Sequence, residues 1–471
     1  MAVTFQHSEY AESLSRWEKV EDVCAGEDEV KEAGVAYLPR PNPSDTSRDA
    51  DARYEQYKVR AVFYNATRRT LQSLVGCAFD NPPTLTVPPA IAYASDDIDG
   101  AGISIYQQSQ SALSEVLMKG RACLLVDYPR TESTASVADM QSGAIRATVV
   151  QYEAEDVINW RMEKHGAYLK LAMVVISECQ AVQVDEFETQ EVEQYRVLRL
   201  VEGVYTVEIY RQNEKREWVM VDTYTPLTGS GRPWNEIPFA FVGSESNSAC
   251  VDPAPLYDMA VLNLAHYRNS ADYEDSVFFN GQPQPWMAGL TEEWRDWLKK
   301  EGIVIGSRVI LPLPENGSFG FAQAQPNTLA KEAMDAKEAQ MRAIGARLIT
   351  PGHAIKTATE AQGDQEAEHS VLSLCAANVS EAYTKCLQWM LTFMNASGDC
   401  AYTLHVDPGM FSVDGTMVAA LIAANQAGKL PDSDLFRIMR RLDLIDPQKT
   451  DEQIAEELAN SPGLNLGGLT A

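Results

Sequence analysis

At 471 residues the chain is long enough for more than one hydrophobic core, and its 45% hydrophobic and 23% charged content is that of an ordinary globular protein. Thirty-nine basic against 67 acidic residues leave a formal charge of -28, which argues against tight sequence-independent clamping of nucleic acid, since that requires Lys and Arg to displace phosphate counterions. No apolar run reaches the roughly 18 residues of a membrane span. The acidic, mixed N-terminus has no basic stretch before an apolar one, so no signal peptide is expected and the product is expected to be soluble and cytoplasmically made.

The Pro/Ser/Asp-rich stretch Pro39 to Arg53 reads as a loop or arm. A helix is expected from about Asp51 to Gly76, and NPPTLTVPP (Asn81 to Pro89) cannot continue it. Asp96, Asp97, Asp99 and Gly100 have the flavour of a calcium loop, but the glycine comes too early and no glutamate stands at the twelfth position; an acidic turn entering a helix is the expectation. That helix spans about Ser104 to Lys119 and stops at Gly120, and RACLLVDYPR supplies a short buried strand, Ala122 to Asp127. From about Ala147 to Phe241 come β-rich runs broken by Gly, Asn and Pro, expected to form an antiparallel meander with a hairpin at Glu202-Gly203.

Asp252-Pro253 reads as a helix opening, an N-cap acceptor followed by proline in the first turn, for a helix running to about Phe279. Its first half is apolar (Leu256, Met259, Ala260, Leu262, Leu264) and its second half polar (His266, Arg268, Asn269, Asp272, Glu274, Asp275), as for a helix leaving a globular body. A compact segment follows, Gly281 to Gln325, with a strand (PQPWMAGL), a Trp-rich helix (TEEWRDWLKK) and a strand (SRVILPLP). A helix at about Asn327 to Leu348 carries the i,i+4 pairs Lys331/Asp335 and Glu338/Arg342. After ITPGHAIKT, the Thr357-x-x-Glu360 capping box opens a helix whose Val371, Cys375, Val379, Tyr383, Leu387, Met390 and Met394 make one apolar stripe. A strand, Ala401 to Val406, and helices at about Thr416 to Ala427, Ser433 to Leu444 and Asp451 to Asn460 complete the chain.

Catalytic patterns are missing from the sequence. Gly428-Lys429 is followed by leucine, so it is no phosphate loop, and neither Gly229-Ser230-Gly231 nor Ser318 sits in a nucleophile elbow. Glu366, Glu368 and His369 lack the order of a zinc helix, and the eight cysteines lack zinc spacing and read as small buried hydrophobes. No enzyme activity, metal or cofactor is expected. Trp286, Trp294 and Trp297 could offer a stacking platform, but more often pack a small subdomain or an interface.

Several stretches taken in order resemble the portal proteins of tailed double-stranded-DNA bacteriophages, most of all an uncharacterised subfamily of them. They are RAVFYNATRRTLQSLVGCAF (60–79), GRACLLVDYP (120–129), INWR (158–161), PFAFVG before DPAPLYDMAVLNLAHYRNSADYE (252–274), FFNGQPQPWMAGL, KEAQMRAIGARLI (337–349) and KTATEAQGDQEAEHSVL (356–372). The likeness covers about residues 50–440. It implies an α+β fold with a mixed α/β wing (1–250), stem helices (251–280 and 326–348) flanking a clip (281–325), a channel loop (349–357), a helix returning to the wing (358–396) and a helical, crown-like end (397–471).

The function implied is that of a ring subunit in the virion, about twelve copies at one capsid vertex, assembled in the host cytoplasm. Double-stranded DNA would pass through the ring during packaging and ejection. The partners implied are the terminase large subunit, the major capsid and scaffolding proteins and a head-tail adaptor or tail, with no membrane. Twelve copies at -28 would carry roughly -340 formal charges, a wall that repels DNA with its one charge per about 1.7 Å. His353 and Lys356 would reach DNA from the channel loop, with Trp286, Trp294 and Trp297 at clip interfaces. The alternatives are a head-tail adaptor or other virion structural protein, and an enzyme of unrecognised class.

Overall fold

In the computed structural model, residues 3–129, 145–183, 185–281, 284–301, 313, 315–322, 328–349 and 370–406 are described, with parts of 422–454. The chain divides into two units, Met1–His405 and Val406–Ala471. Among the described residues no helix is long and apolar enough to cross a membrane.

The first unit is α+β. Helices α1 (Ser8–Ala25), α2 (Glu27–Glu32), α3 (Ala50–Arg60) and α4 (Ala66–Ala78) come first, then a short strand β1 (Thr84–Thr86) and α5 (Ile105–Lys119). The expected helix over 51–76 is therefore two helices. Asn65 breaks it: its side chain accepts from the Arg68 N–H and starts a new N-terminus, a capping role that competes with helix continuation. Helix α5 is bounded as expected, with Ser104 and Gln107 closing a capping box and Gly120 in the left-handed conformation at its end.

The strands divide differently from a single meander. β2 (Arg121–Asp127) lies between β3 (Thr148–Tyr152) and β9 (Phe239–Gly243) in a three-stranded antiparallel sheet. β2 is buried at six of its seven positions, so it needs a partner on each edge, and the first and last runs of the β-rich region supply them. The remaining runs, β4 (Val157–His165), β5 (Tyr168–Gln183), β6 (Thr189–Val201), β7 (Val204–Gln212) and β8 (Trp218–Tyr224), form the meander proper, in sequential order. Glu202 and Gly203, both at positive φ, make the expected tight hairpin.

After β9 comes α6 (Tyr257–Asn280), then β10 (Gln284–Ala288), α7 (Glu292–Glu301), β11 (Ser318–Ala322), α8 (Leu329–Ile349), α9 (Val371–Phe393) and β12 (Ala401–Thr403). Helix α9 packs on β2, β9 and α5, and its predicted stripe is the core of the unit: Cys375, Val379, Tyr383, Leu387 and Met390 are fully buried, and Met394 nearly so. Val371, at the first turn, is instead 38% exposed. Its N-terminus is capped by Ser370, whose Oγ accepts from the Ser373 N–H; the capping box Thr357/Glu360 lies outside the described residues. The strand expected at SRVILPLP lies there too, and β10 pairs instead with Ser318–Ala322.

Two further expectations change. Asp252 is not an N-cap: its Oδ2 accepts from the N–H groups of Glu245 and Ser246, closing the loop after β9, and the helix begins at Tyr257. Cys24, Cys123, Cys375 and Cys386 are buried as expected, whereas Cys179 and Cys250 are exposed. In the second unit, helix α10 spans Asp432–Arg441 and buries Leu435.

Candidate functional site

Helices α6 and α8 pack against each other as an antiparallel pair. Met259 of α6 lies against Gly345 of α8, while seven residues further along α6, His266 faces Glu338, seven residues back along α8. The pair therefore opens away from the body, with Asn280 and Leu329 at its outer ends and the segment carrying β10, α7 and β11 strung between them.

Burial marks where the pair leaves the body. Along α6 the last buried residue is Ala271, and the nine residues to Asn280, about 14 Å of helix, contain none. Along α8 the buried residues among those whose burial is described are Met341 and Leu348, both in the half next to the body. The inner half is anchored by polar contacts that the sequence does not announce. Asn263, fully buried, accepts at Oδ1 from Ala66 N–H, Thr67 N–H and Thr67 Oγ1 and donates from Nδ2 to the Tyr64 carbonyl, so α6 satisfies the free N-terminus of α4. Further out, beyond the last buried residue, Tyr57 donates to Asp272 and Arg60 pairs with Asp275, so α3 follows the helix past Ala271.

The expected polar second half of α6 is thus partly wrong. His266 is buried, and desolvation holds its imidazole below the ordinary pKa despite Glu338, whose Oε1 lies 3.6 Å away. The outermost turn is apolar and exposed: Val277, Phe278 and Phe279 are 49%, 46% and 60% accessible. On α8 the Glu338–Arg342 pair forms at 3.0 Å, while no ion pair joins Lys331 and Asp335 among the described residues.

In the small segment, Trp286 of β10 lies opposite Gly320 of β11, and a Cβ at Gly320 would stand 2.9 Å from the indole, so the glycine makes room for the ring. Trp294 and Trp297 of α7 meet edge-to-face at 5.1 Å. Trp286 and Trp297 remain 44% exposed, as does Phe321 at 54%. His353 and Lys356 lie outside the described residues.

A second cluster of functional groups sits inside the body. Lys119 Nζ, on a side chain only 1% exposed, contacts Glu155 at 2.6 Å, Glu21 and Glu115 at 3.1 Å and Glu153 at 3.3 Å. Glu21, Glu153 and Glu155 stand close enough together for metal ligation, but the lysine ammonium is itself the cation among them. The cluster ties α1, α5 and the β3–β4 turn together, aided by Trp17 Nε1 donating to the Lys119 carbonyl at 2.7 Å. It is a structural knot, and of the four carboxylates only Glu115 is close to Lys119 in sequence.

Burial, opposed by Lys119 and reinforced by Glu155 and Glu153, pushes the Glu115 carboxyl up to about 7, and burial also raises Glu155 and Asp156. The folded chain therefore holds a proton on Glu115 that the unfolded chain has lost above about pH 4.5, so this group's contribution to stability falls as pH rises from about 4.5 to 7. Glu115→Gln is expected to flatten that part of the profile by up to about 3 kcal/mol. Thermal unfolding of both proteins between pH 5 and 8 checks it: parallel Tm curves would show that Glu115 does not titrate in this range.

Residues 255–394, which run from the start of α6 through the small segment and α8 to the end of α9, match a family described as a domain of unknown function (DUF4055). No curated protein matches. Solved structures similar to the chain include one titled "Virion of native gene transfer agent (GTA) particle", at 14% identity and a TM-score of 0.38, covering 86% of this chain and 96% of that one. Another is "Neck of native GTA particle computed with C12 symmetry", at 14% identity and a TM-score of 0.40, covering 87% and 98%. A third, "Neck of empty GTA particle computed with C6 symmetry", has 13% identity and a TM-score of 0.39, covering 87% and 97%.

Proposed function

We propose that the chain is a portal subunit of a tailed bacteriophage: a non-enzymatic protein whose copies, about twelve of them, close a ring that conducts double-stranded DNA into and out of the capsid. The observation that carries this reading is the projecting antiparallel pair α6/α8 with the β10–α7–β11 segment at its end. It is tied to the body by Asn263 in its inner half and by Tyr57 and Arg60 on Asp272 and Asp275 further out, and the last nine residues of α6 include no buried one. Exposed apolar residues gathered on such a projection (Val277, Phe278, Phe279, Leu329, Trp286, Trp297) call for burial by something else. Copies of the same unit set side by side around an axis would bury them, each face meeting a different face of its neighbour.

In this reading residues 1–250 are the wing, 251–280 and 326–348 the stem, 281–325 the clip, 349–357 the channel loop, 358–396 the return helix and 397–471 the crown. The net charge of -28 per copy suits a conduit, because a wall of like charge lets the duplex slide while a separate motor supplies the force. His353 and Lys356 would supply local positive charge in the channel loop. The terminase large subunit would dock on the ring, the major capsid and scaffolding proteins would surround it at the vertex, and an adaptor or tail would close it.

Native mass measurement and negative-stain imaging of the purified full-length chain test the reading together. Annular particles of about twelve copies with a central opening wide enough for a duplex are expected. A monodisperse monomer under all ionic conditions would remove the portal assignment, and closed particles with no opening would favour another virion structural protein.

A further inference from the structure

Beyond the stem, one element has no use in the isolated chain. The β5–β6 hairpin outruns its sheet: β4 pairs with β5 only as far as Ile176, and β7 pairs with β6 only from Gln194. As strands, residues 179–183 and 189–193 therefore pair only with each other, an arm of roughly 17 Å before the tip, with Arg211 of β7 reaching Gln180 at its base. Residues 179–183 are exposed on both faces, and a two-stranded ribbon alone in water is marginal.

The tip is nevertheless built. Asp185 Oδ1 accepts from the N–H groups of Phe187 and Glu188, both at 2.7 Å, and these bonds hold its carboxyl below the ordinary pKa. The turn thereby presents Phe187, 92% exposed and the most exposed large apolar side chain described. Around it the arm is uniformly acidic. Between Leu171 and Tyr195 there are six carboxylates (Glu178, Asp185, Glu186, Glu188, Glu191, Glu193) and no Lys or Arg.

Elsewhere on the same unit lies a cleft of opposite character, about 380 Å³, lined by Arg40, Arg53, Arg60, Tyr57, Phe278 and Phe279. Two carboxylates, Asp45 and Asp275, also line it and Asp51 stands beside Arg40, so three guanidiniums meet three carboxylates and the charges balance, unlike the arm with its carboxylates alone. Arg40, Arg53 and Arg60 each already hold one carboxylate, Asp51, Asp45 and Asp275 respectively, but a guanidinium has five donors. Arg60 Nε is buried without an acceptor, and its guanidinium stacks on Phe278 at 4.4 Å. Phe278 and Phe279 leave about half their surface open to solvent.

We propose that the Phe187 tip of one subunit docks into the Arg40/Arg53/Arg60 cleft of the next copy of this chain, the phenyl ring against Phe278 and Phe279 and the flanking carboxylates against the guanidiniums. The match is between an aromatic anchor in an acidic collar and an aromatic pocket whose rim guanidiniums, each holding one carboxylate, keep donors to spare, the arrangement in which a single side chain dominates an interface. Knob and hole are different surfaces of one chain, so the contact is heterologous and repeats around a ring. The inference rests on the ring reading above and adds where neighbours grip each other.

The test uses full-length protein with Cys179→Ser and Cys250→Ser to remove the exposed thiols, and Gln56→Cys in the cleft with Glu186→Cys beside the tip. A short bis-maleimide is expected to convert rings into a covalent ladder on a denaturing gel, and Phe187→Ala, at a solvent-exposed position, is expected to abolish the ladder and weaken assembly about tenfold or more. Rings that form but give no ladder would overturn the docking and leave the ring intact. A chain that never assembles would overturn both. A fast-migrating cross-linked monomer would show the arm reaching its own cleft, and would also overturn the proposal.

Discussion

Lys119→Met is expected to destabilise the first unit by about 3–5 kcal/mol, the cost of stripping one partner from a buried ionic cluster. The lysine is the single cation among Glu21, Glu115, Glu153 and Glu155, and its side chain is 1% exposed. Methionine keeps the volume and loses the charge, so four carboxylates remain facing one another, Glu115 being the most buried. Their remedy is to take up protons, which acid makes easier. The loss should therefore be smaller at pH 5 than at pH 8. Urea unfolding at the two pH values reads both effects, and a loss under about 1 kcal/mol at pH 8 would show that solvent screens the cluster as it does a surface pair.

The same cluster shows what a linear reading can and cannot reach. Glu115 and Lys119 stand four apart on one helix and could be paired from the sequence, but Glu21, Glu153 and Glu155 join them only because α1 and the β3–β4 turn come together in space. Local patterns did translate into structure. The Glu202-Gly203 turn, the end of α5 at Gly120, the stripe of α9 and the Glu338–Arg342 pair all depend on neighbours within a few residues. Sheet membership did not, because nothing within ATVVQYE says that its partner is β2 and not the strand that follows it.

The projecting pair was legible as a change of polarity along α6, yet its details were inverted. The sequence places His266 among solvent-facing residues, while α8 covers it; the apolar end of the helix, Val277 to Phe279, is the part left open. An exposed VFF after a polar stretch was the available sign that the end of this helix meets another surface. Similarly, Asn65-Ala-Thr carried a readable N-cap inside a stretch that otherwise looks like one continuous helix. The length of the acidic arm is not written in the sequence, since alternation alone does not show how far two strands outrun their neighbours.

Gly120→Ala is expected to cost about 3 kcal/mol or more, and to do so by two separable routes. Gly120 lies at φ +73, and a side chain there incurs about 1 kcal/mol of left-handed strain. Its Cβ would also stand 2.4 Å from the Asp252 carbonyl oxygen and 2.7 Å from that of Pro253, so the loop before α6 must move. That loop is stitched to the end of α5 and to β9: Leu256 N–H donates to the Leu117 carbonyl, Ser244 N–H to the Gly120 carbonyl, and Ser244 Oγ to the Pro253 carbonyl. Gly203→Ala supplies the control, because Gly203 has φ +82 and nothing within 4 Å of the added atom. Chemical unfolding should therefore show a loss of about 1 kcal/mol for Gly203→Ala and a clearly larger one for Gly120→Ala. Equal losses would mean that the loop yields freely. In that case the start of α6 is not held by α5, and the angle at which the helical pair leaves the body is fixed by contacts further along α6, those of Asn263 with α4 and of Asp272 and Asp275 with α3.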